Sequence, residues 1–150
     1  MKYLDIVCIG TISDIVPLVD ENRVIAKLGL MLIEQTKNIG LRTLIKESGY
    51  KKISSTMVSF GIAPRINACG RMGFQNEALE LFLTDNIEEA RRITTRLNTY
   101  NSQRQLKEKE IFEQAISKLK EEDLKNLNSI VLSGDNWHHR SNWNCCIKNN

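Results

Sequence analysis

Two arginines and an asparagine within residues 61–73 have the types and spacing to bind an anion. The segment reads Gly-Ile-Ala-Pro-Arg-Ile-Asn-Ala-Cys-Gly-Arg-Met-Gly, so Arg65 and Arg71 bracket Asn67. A guanidinium presents its N–H groups as a planar fork that matches a phosphate or a carboxylate. Gly70 lacks a side chain and lets the backbone approach a ligand closely. The residues alone leave two interpretations open: an anion site, and a corner between helices whose arginines pair with nearby acids.

Composition and charge narrow the class of protein. The 150 residues include 21 Lys and Arg against 18 Asp and Glu, which gives a formal net charge of +3. This excess is too small to predict nucleic-acid binding by itself. No apolar run approaches the ~20 residues that span a bilayer, and the N-terminus lacks the pattern of a signal peptide. We therefore expect a cytoplasmic protein with no membrane partner.

The four cysteines do not form a zinc-binding pattern. Cys8, Cys69, Cys145 and Cys146 lack the paired CxxC spacing of structural zinc sites. Cys8 and Cys69 lie among apolar or small residues, as buried free thiols commonly do. We predict that both are reduced packing residues.

Hydrophobic periodicity predicts helices over much of the first half of the chain. Residues 3–16 are almost continuously apolar, and Ile6–Ile9 would also suit a buried strand because β-branched residues favour strands. Residues 22–37 carry apolar side chains at helical spacing. Asn38 and Gly40 are predicted to end that second helix.

Two further predictions concern the elements on either side of the arginine segment. Ser54 or Ser55 is expected to cap the helix that leads into it. A helix over Glu77–Leu83 is expected to turn Leu79 and Phe82 inward. The arginine segment is therefore expected to lie between two helices.

A long helix of roughly 35 residues is predicted after position 85, with a length of about 50 Å. Asp85 would cap it, Glu88 would complete a capping box, and Glu88 could pair with Arg92. Its apolar stripe comprises Ile93, Leu97, Tyr100, Ile111, Ala115 and Leu119. Such a helix is longer than a small globule can cover, and a coiled-coil dimer is one interpretation, although its heptad pattern is irregular.

The arginine segment resembles the PRINAAGRM signature of RecJ-type single-stranded-DNA exonucleases, which belong to the DHH phosphoesterase superfamily. Residues 4–18 are similar to the family's LDxVAxGTxADxxPL segment, and residues 133–139 are similar to the start of its GxxWHxG motif. The three segments occur in family order. The departures include Ser13 and Cys69, where the family usually has alanine.

The resemblance implies the fold and the domain organisation. Residues 1–84 would be the C-terminal helical part of an α/β DHH domain, and residues 85–123 a long connecting helix. Residues 124–139 would begin a DHHA1 domain, with its first strand at Ser129–Ser133. As it stands, the chain is expected to be mainly α, with a helix rather than a strand over residues 3–16.

Residues 140–150 depart from the resemblance, because the family continues with GVIGIVAS. One codon choice for Arg140 to Asn149 reads as Gly-Val-Ile-Gly-Ile-Val-Ala-Ser-Lys when its first base is removed. We therefore expect a frameshifted, non-native tail. The family's upstream Asp-x-Asp and Asp-His-His motifs are absent from the sequence. The chain is accordingly expected to be an internal fragment that is inactive alone.

The activity that the resemblance implies is 5′-to-3′ hydrolysis of phosphodiester bonds in single-stranded DNA, during DNA repair and recombination. It implies two divalent ions, Mn²⁺ or Mg²⁺, which activate water and stabilise the leaving oxygen. Asp14 matches the aspartate that the family uses as a catalytic metal ligand. The residues that match DNA-binding positions are Arg65, Asn67, Gly70, Arg71, Trp137 and His138.

Two alternatives remain open at the level of sequence. One is a fragment of another DHH phosphoesterase, such as an oligoribonuclease or a cyclic-dinucleotide hydrolase. The other is a non-catalytic helical module that binds a protein or nucleic acid and melts cooperatively. The fragment interpretation predicts an exposed apolar face on residues 3–33, where the missing N-terminal half of its own domain would dock. Without the resemblance, Asp14 would be interpreted as a residue at a helix end.

Overall fold

Helices form all the regular structure that the computed structural model describes, over residues 3–119, 132–134 and 137. The predicted mainly α fold is confirmed. The elements in chain order are α1 (Leu4–Ser13), α2 (Asp20–Glu34), α3 (Ile39–Glu47), a π-helical turn (Met57–Ile62), α4 (Ala63–Met72), α5 (Gln75–Leu83) and α6 (Ile87–Lys118). Most of residues 124–139, where a strand is predicted, and the whole tail over 140–150 lie outside the described residues.

The first apolar segment is a helix, as the resemblance implies and against the local preference for a strand. Helix α1 buries Cys8, Ile9 and Ile12 on one side, and this side packs against α2. The close approach depends on Gly29 of α2, because a Cβ atom at this position would lie 2.1 Å from Cys8 Cβ. Packing against α2 therefore overrides the strand preference of the β-branched residues.

Asn38 begins a helix instead of ending one, so the prediction for Asn38 and Gly40 is wrong. The Asn38 Oδ1 atom accepts a hydrogen bond from the Leu41 N–H at 2.8 Å, and its Nδ2 atom donates to the Phe82 carbonyl at 2.7 Å. Gly40 lies inside α3, where an added Cβ would be 1.7 Å from the Leu81 carbonyl oxygen. Asparagine and glycine are common at both helix ends, and here the packing against α5 decides their roles.

A π-helical turn leads into the arginine segment. Ser54 caps its start, as predicted, because its Oγ accepts the Met57 N–H at 3.1 Å. The Ala63 N–H then donates to the Val58 carbonyl, a bond that spans five residues. Pro64 has no N–H, so a regular α-helical ladder cannot run through this position. The wider turn therefore ends at the start of α4, where Pro64 is the second residue.

Helices α5 and α6 differ in detail from the prediction. Leu79 is 59% exposed and Leu81 is fully buried, so Leu79 does not point inward, whereas Phe82 packs against the core as expected. The cap of α6 is Asn86, whose Oδ1 accepts the N–H groups of Glu88 and Glu89, at 2.9 and 3.2 Å. The predicted cap, Asp85, lies one position too early.

The predicted ion pair between Glu88 and Arg92 is also wrong. Glu88 pairs with Arg91 at 2.7 Å, and Arg92 pairs with Glu89 at 2.5 Å. Both pairs join residues three apart rather than four, an alternative spacing that places side chains on the same helix face.

The chain divides into two compact units, Met1–Asn101 and Ser102–Asn150. The first unit contains one core in which α1 to α5 meet the first half of α6. Fully buried core side chains come from five of the helices and the π-helical turn: Cys8, Leu41, Leu44, Met57, Val58, Ile62, Cys69, Leu81, Ile93 and Leu97. Helix α4, which carries the two arginines, therefore packs into the core of this unit through Cys69.

In the second unit, the rest of α6 buries Ile111 and Ala115. The Arg104 Nη1 atom lies 2.8 Å from Glu108 Oε1 on the same helix. Over residues 3–119, 132–134 and 137, no helix combines the length and the apolar character needed to cross a bilayer.

Two glycine substitutions test the helix packing. We expect Gly40→Ala to lower the free energy of unfolding by at least about 3 kcal/mol, because its methyl group meets the Leu81 carbonyl. Gly10→Ala is the matched control, since an added Cβ there meets nothing within 4 Å. Alanine in that helix interior should raise stability by about 0.5–1 kcal/mol. Urea unfolding followed by circular dichroism measures both, and a tolerated Gly40→Ala would contradict the close contact of α3 with α5.

Candidate nucleic-acid interface

Arg65 is a half-buried cation that is held from two directions. Its Nε atom donates to the Asn98 Oδ1 atom of α6 at 2.6 Å, and its Nη1 atom donates to the Gly61 carbonyl at the end of the π-helical turn. Desolvation by burial lowers the pKa of Arg65, yet a guanidinium stays charged at any ordinary pH. These two bonds fix the position of a charge that the protein partly removes from water.

The fixed guanidinium of Arg65 has further N–H groups that can donate hydrogen bonds. Of its five N–H groups, two are bonded within the part of the chain that the structure describes. The remaining three can donate to an anion, and charge-assisted bonds of this kind are stronger than neutral ones. Arg65 therefore stabilises the packing of the helices and is also positioned to bind an anion.

The helical geometry of α4 separates the residues predicted to bind DNA into two sets. Asn67, Gly70 and Arg71 follow the spacing i, i+3 and i+4, which places them on one face. Arg65 lies about 120° from Arg71 around the helix axis. Asn67 is exposed, Arg71 is half-buried, and an added Cβ on Gly70 meets nothing within 4 Å. A ligand that reaches both arginines must therefore bend around α4.

Asp14, the predicted metal ligand, is exposed at the C-terminal end of α1. Its backbone N–H donates to the Gly10 carbonyl at 3.0 Å. The next residue, Ile15, has a φ of +55°, in the left-handed region that β-branched residues rarely adopt. Helices often end with glycine in this conformation. Residues in this region are strained and often occur near functional sites, although Asp20, which has no predicted role, also has a positive φ of +46°.

The described residues do not form a complete metal site. Among residues 3–119, 132–134 and 137, no three His, Cys, Asp or Glu side chains gather in a position to hold an ion. Mg²⁺ and Mn²⁺ prefer oxygen ligands in near-octahedral sets. Asp14 offers a single carboxylate and could serve as only one member of such a set.

The two buried cysteines are free thiols, as predicted. Burial raises the pKa of Cys8 and of Cys69 to about 11 in each case. The Cys69 Sγ atom donates to the Arg65 carbonyl at 3.6 Å within α4. Both thiols are protonated near neutral pH and are therefore poor nucleophiles and poor metal ligands.

A group of residues that the sequence patterns do not predict braces the C-terminal end of α4. The Phe74 ring stacks on Tyr100 with centroids 4.7 Å apart. The Tyr100 hydroxyl donates to Glu77 Oε1 at 3.1 Å, and Arg96 Nε lies 3.0 Å from Glu77 Oε2. Together with Asn98, these side chains connect α4 and α5 to α6. The periodicity of α6 predicts that Tyr100 is apolar packing, but its partners lie far away along the chain, Glu77 by 23 positions, and leave no local pattern.

Trp137 contacts α6 in the second unit. Its indole Nε1 donates to Gln114 Oε1 at 2.8 Å, and Lys118 Nζ lies 5.3 Å from the ring centroid. Lys118 also donates to the Ser133 carbonyl at 2.7 Å. These contacts give Trp137 a packing role, and its DNA-binding role stays a prediction. His138 lies outside the described residues.

Comparisons with known proteins agree with the resemblance seen in the sequence. The chain is 36% identical over 139 residues to the single-stranded-DNA-specific exonuclease RecJ of Bacillus subtilis. This match covers 91% of the chain but only 18% of the relative. The chain thus spans about a fifth of the length of that curated relative. No protein-family model matches the chain.

Solved structures give the same result for the fold. Crystal structures of RecJ from Thermus thermophilus, in complex with Mn²⁺ and with Mg²⁺, each align with a TM-score of 0.76 and 37% identity. Each alignment covers 81% of this chain, and 18% and 20% of the respective RecJ chains. The helical arrangement described above is therefore one that these metal-bound enzymes contain.

A double-mutant cycle tests the tie between Arg65 and Asn98. We expect Arg65→Ala and Asn98→Ala each to lower the free energy of unfolding, with a coupling energy of about 1–2 kcal/mol because the bond involves a charged, half-buried group. Asn67→Ala serves as the control, because the exposed Asn67 should change stability by less than about 0.5 kcal/mol. Urea titrations of the parent chain, the two single variants and the double variant give the coupling energy, and additive effects would show that the bond is absent in solution.

A second test addresses the turn that follows Asp14. Ile15→Asn should raise the free energy of unfolding by about 1 kcal/mol, because asparagine tolerates positive φ and the 88% exposed isoleucine loses no packing. Ile15→Val keeps the β-branch and should leave stability unchanged. Thermal unfolding measures both variants. Equal melting temperatures for Ile15→Asn and Ile15→Val would show that the backbone is not strained at this position.

Proposed function

We propose that this chain, which is related by sequence and fold to one segment of the RecJ-type single-stranded-DNA-specific exonucleases, provides the arginine-bearing helices of such an enzyme. The reaction would be 5′-to-3′ hydrolysis of phosphodiester bonds in single-stranded DNA, in the cytoplasm and in the service of DNA repair and recombination. Because the chain spans 18% of its curated relative, the activity belongs to a larger assembly to which these helices contribute.

The observation that carries the proposal is the fixed guanidinium of Arg65. Its bonds to Asn98 and to the Gly61 carbonyl orient it before any ligand arrives, and three N–H groups remain for phosphate oxygens. A ligand group held this way loses little side-chain freedom on binding. We assign Arg65 and Arg71 to two different phosphates of one strand that bends around α4.

Asn67 and Gly70 would support contact with the same strand. Asn67 is exposed on the face that carries Arg71, and its amide can donate to a phosphate or sugar oxygen. The open space over Gly70 lets the strand approach the helix backbone. Trp137 and His138 are proposed as further DNA contacts from the region that follows α6.

Asp14 is proposed as one ligand of a two-ion site for Mn²⁺ or Mg²⁺, the ions named for the two Thermus structures. Bound ions would supply an activated water and stabilisation of the leaving oxygen. Asp14 would hold its carboxylate outside the end of α1, and the positive φ of Ile15 would fix the direction in which the chain leaves it. The other ligands would come from outside the described residues.

Exposed apolar side chains on and beside α1 and α2 fit the need for a larger assembly. Large apolar side chains that are at least 40% exposed include four in these helices, Val7, Val24, Met31 and Leu32, and four on adjoining residues, Tyr3, Ile15, Leu18 and Val19. Exposed apolar side chains in such number mark a contact surface. We propose that the N-terminal half of a DHH domain covers them.

A chimeric enzyme tests the function. Residues 3–119 of this chain would replace the aligned segment of Bacillus subtilis RecJ, and degradation of a 5′-labelled single strand would be followed with Mn²⁺ present. We expect an active chimera in which Asp14→Ala lowers kcat at least about 100-fold, because loss of a metal ligand should cost more than the roughly 10- to 100-fold lost with a group that only supports a ligand. Arg65→Ala and Arg71→Ala should each raise KM roughly tenfold or more, as expected for lost charged hydrogen bonds.

Arg92→Ala is the matched control in the same chimera. Arg92 is exposed and pairs only with Glu89 among the described residues, so kcat and KM should stay within about twofold of the parent chimera. An active chimera that keeps its kcat after Asp14→Ala would remove Asp14 from the proposed site. If the chimera is active and its KM does not change in Arg65→Ala or Arg71→Ala, α4 does not bind the strand.

A further inference from the structure

Two neighbouring hollows lie on α3, outside the arginine segment, and share two of their cations. The first, of about 480 Å³, is lined by Arg42, Lys46 and Arg91 together with Glu47. The second, of about 450 Å³, is lined by Arg42 and Lys46 again, with Lys51, Lys52 and Glu34. Arg42 and Lys46 are one helical turn apart, about 6 Å along the axis. The two hollows therefore form one continuous surface on either side of these two side chains.

This surface carries an excess of positive charge. We name it the cationic strip and define it by Arg42, Lys46, Lys51, Lys52 and Arg91. Two carboxylates, Glu34 and Glu47, line the hollows beside these five cations, and a third, Glu88, pairs with Arg91, so an excess of two positive charges remains. A concentrated excess attracts polyanions more strongly than the same charge spread over a surface.

The cations of the strip are free to bind a ligand. Arg91 pairs with Glu88, an exposed pair worth little. Within the described ranges, none of the other four has a carboxylate at ion-pair distance, and all four are exposed. Binding a phosphate therefore breaks no ion pair of Arg42, Lys46, Lys51 or Lys52.

The lining of the strip is also partly apolar. Isoleucines line both hollows together with the cations: Ile39 and Ile87 in the first, and Ile33, Ile45 and Ile53 in the second. Single strands of nucleic acid present both phosphates and the flat faces of unpaired bases. A surface that combines cations with apolar side chains can contact both parts of an unpaired strand.

We propose that the cationic strip binds the backbone of single-stranded nucleic acid as a second contact surface, separate from the arginine segment of α4. The identity of the polymer rests on the proposed function, whereas the charge and the apolar lining are properties of the strip itself. None of the residues that line the two hollows belongs to residues 61–73. The strip would lengthen the stretch of strand that the protein holds.

The test uses the full 150-residue chain and a fluorescein-labelled oligothymidylate of about 20 nucleotides, a length that exceeds common single-strand site sizes. Binding is followed by fluorescence anisotropy between about 50 and 200 mM salt. Arg42→Glu/Lys46→Glu should lower affinity at least about tenfold at the lowest salt. The slope of log K against log salt should become shallower by about 1.4, since each phosphate contact on a single strand contributes roughly 0.7. Arg42→Gln/Lys46→Gln should show the same change in slope with a smaller loss of affinity.

Lys107→Glu/Lys109→Glu is the matched control, because both lysines are exposed on α6 and the change in charge is identical. Its affinity should stay within about twofold of the parent chain at the highest salt, where long-range effects of net charge are screened. Circular dichroism confirms that each variant is helical. An unchanged slope in both strip variants would overturn the proposal, and so would a parent chain that does not bind the oligothymidylate at the lowest salt.

Two further arms separate this proposal from the proposed function. Arg65→Ala/Arg71→Ala in the same assay reports on α4 alone. If that variant loses binding while the strip variants bind as the parent chain does, the strip proposal is overturned and the proposed function is unaffected. The reverse result would support the strip and contradict the assignment of α4. Competition by poly-glutamate as effective as the unlabelled oligothymidylate would identify a surface for acidic protein segments instead and overturn the proposal.

Discussion

The structure around the candidate site depends on how a permanent charge is kept partly out of water. Withdrawing a guanidinium from solvent is unfavourable unless its N–H groups find acceptors. Arg65 finds them in the Asn98 side chain and the Gly61 carbonyl. These bonds link three features, the π-helical turn, α4 and α6. The position of the Arg65 guanidinium and the packing of these elements therefore depend on the same hydrogen bonds.

In the proposed function, the same arrangement would let α4 present two arginines to one strand without bringing them together. Arg65 turns toward α6, while Arg71 lies on the face that carries Asn67 and Gly70. The stacked pair of Phe74 and Tyr100 then stabilises the end of α4 that carries Arg71. A site spread around a helix suits a polymer with evenly spaced charges better than a small anion, which would contact a single face.

Local patterns predicted the helices well and their boundaries less well. The sequence predicts a cap at Ser54 or Ser55, and Ser54 is the one whose hydroxyl accepts a helix N–H. Asn38 and Gly40 suit either end of a helix, and only the contact of α3 with α5 assigns them to a beginning. Leu79 and Leu81 both lie in an apolar run, so the period alone could not show that Leu81 is the buried one.

The sequence by itself determined most of the helices, the buried free thiols and the arginine segment, because each depends on residues close together along the chain. The mainly α fold, with a helix over the first apolar segment, followed from the family resemblance of several segments together. The tertiary structure alone decided that Asn98 holds Arg65 and that the two arginines lie on different faces of α4. It also assembled the cationic strip from α3, the loop after it and α6. Contacts between residues far apart in sequence leave no local pattern, since they exist only once the helices have packed.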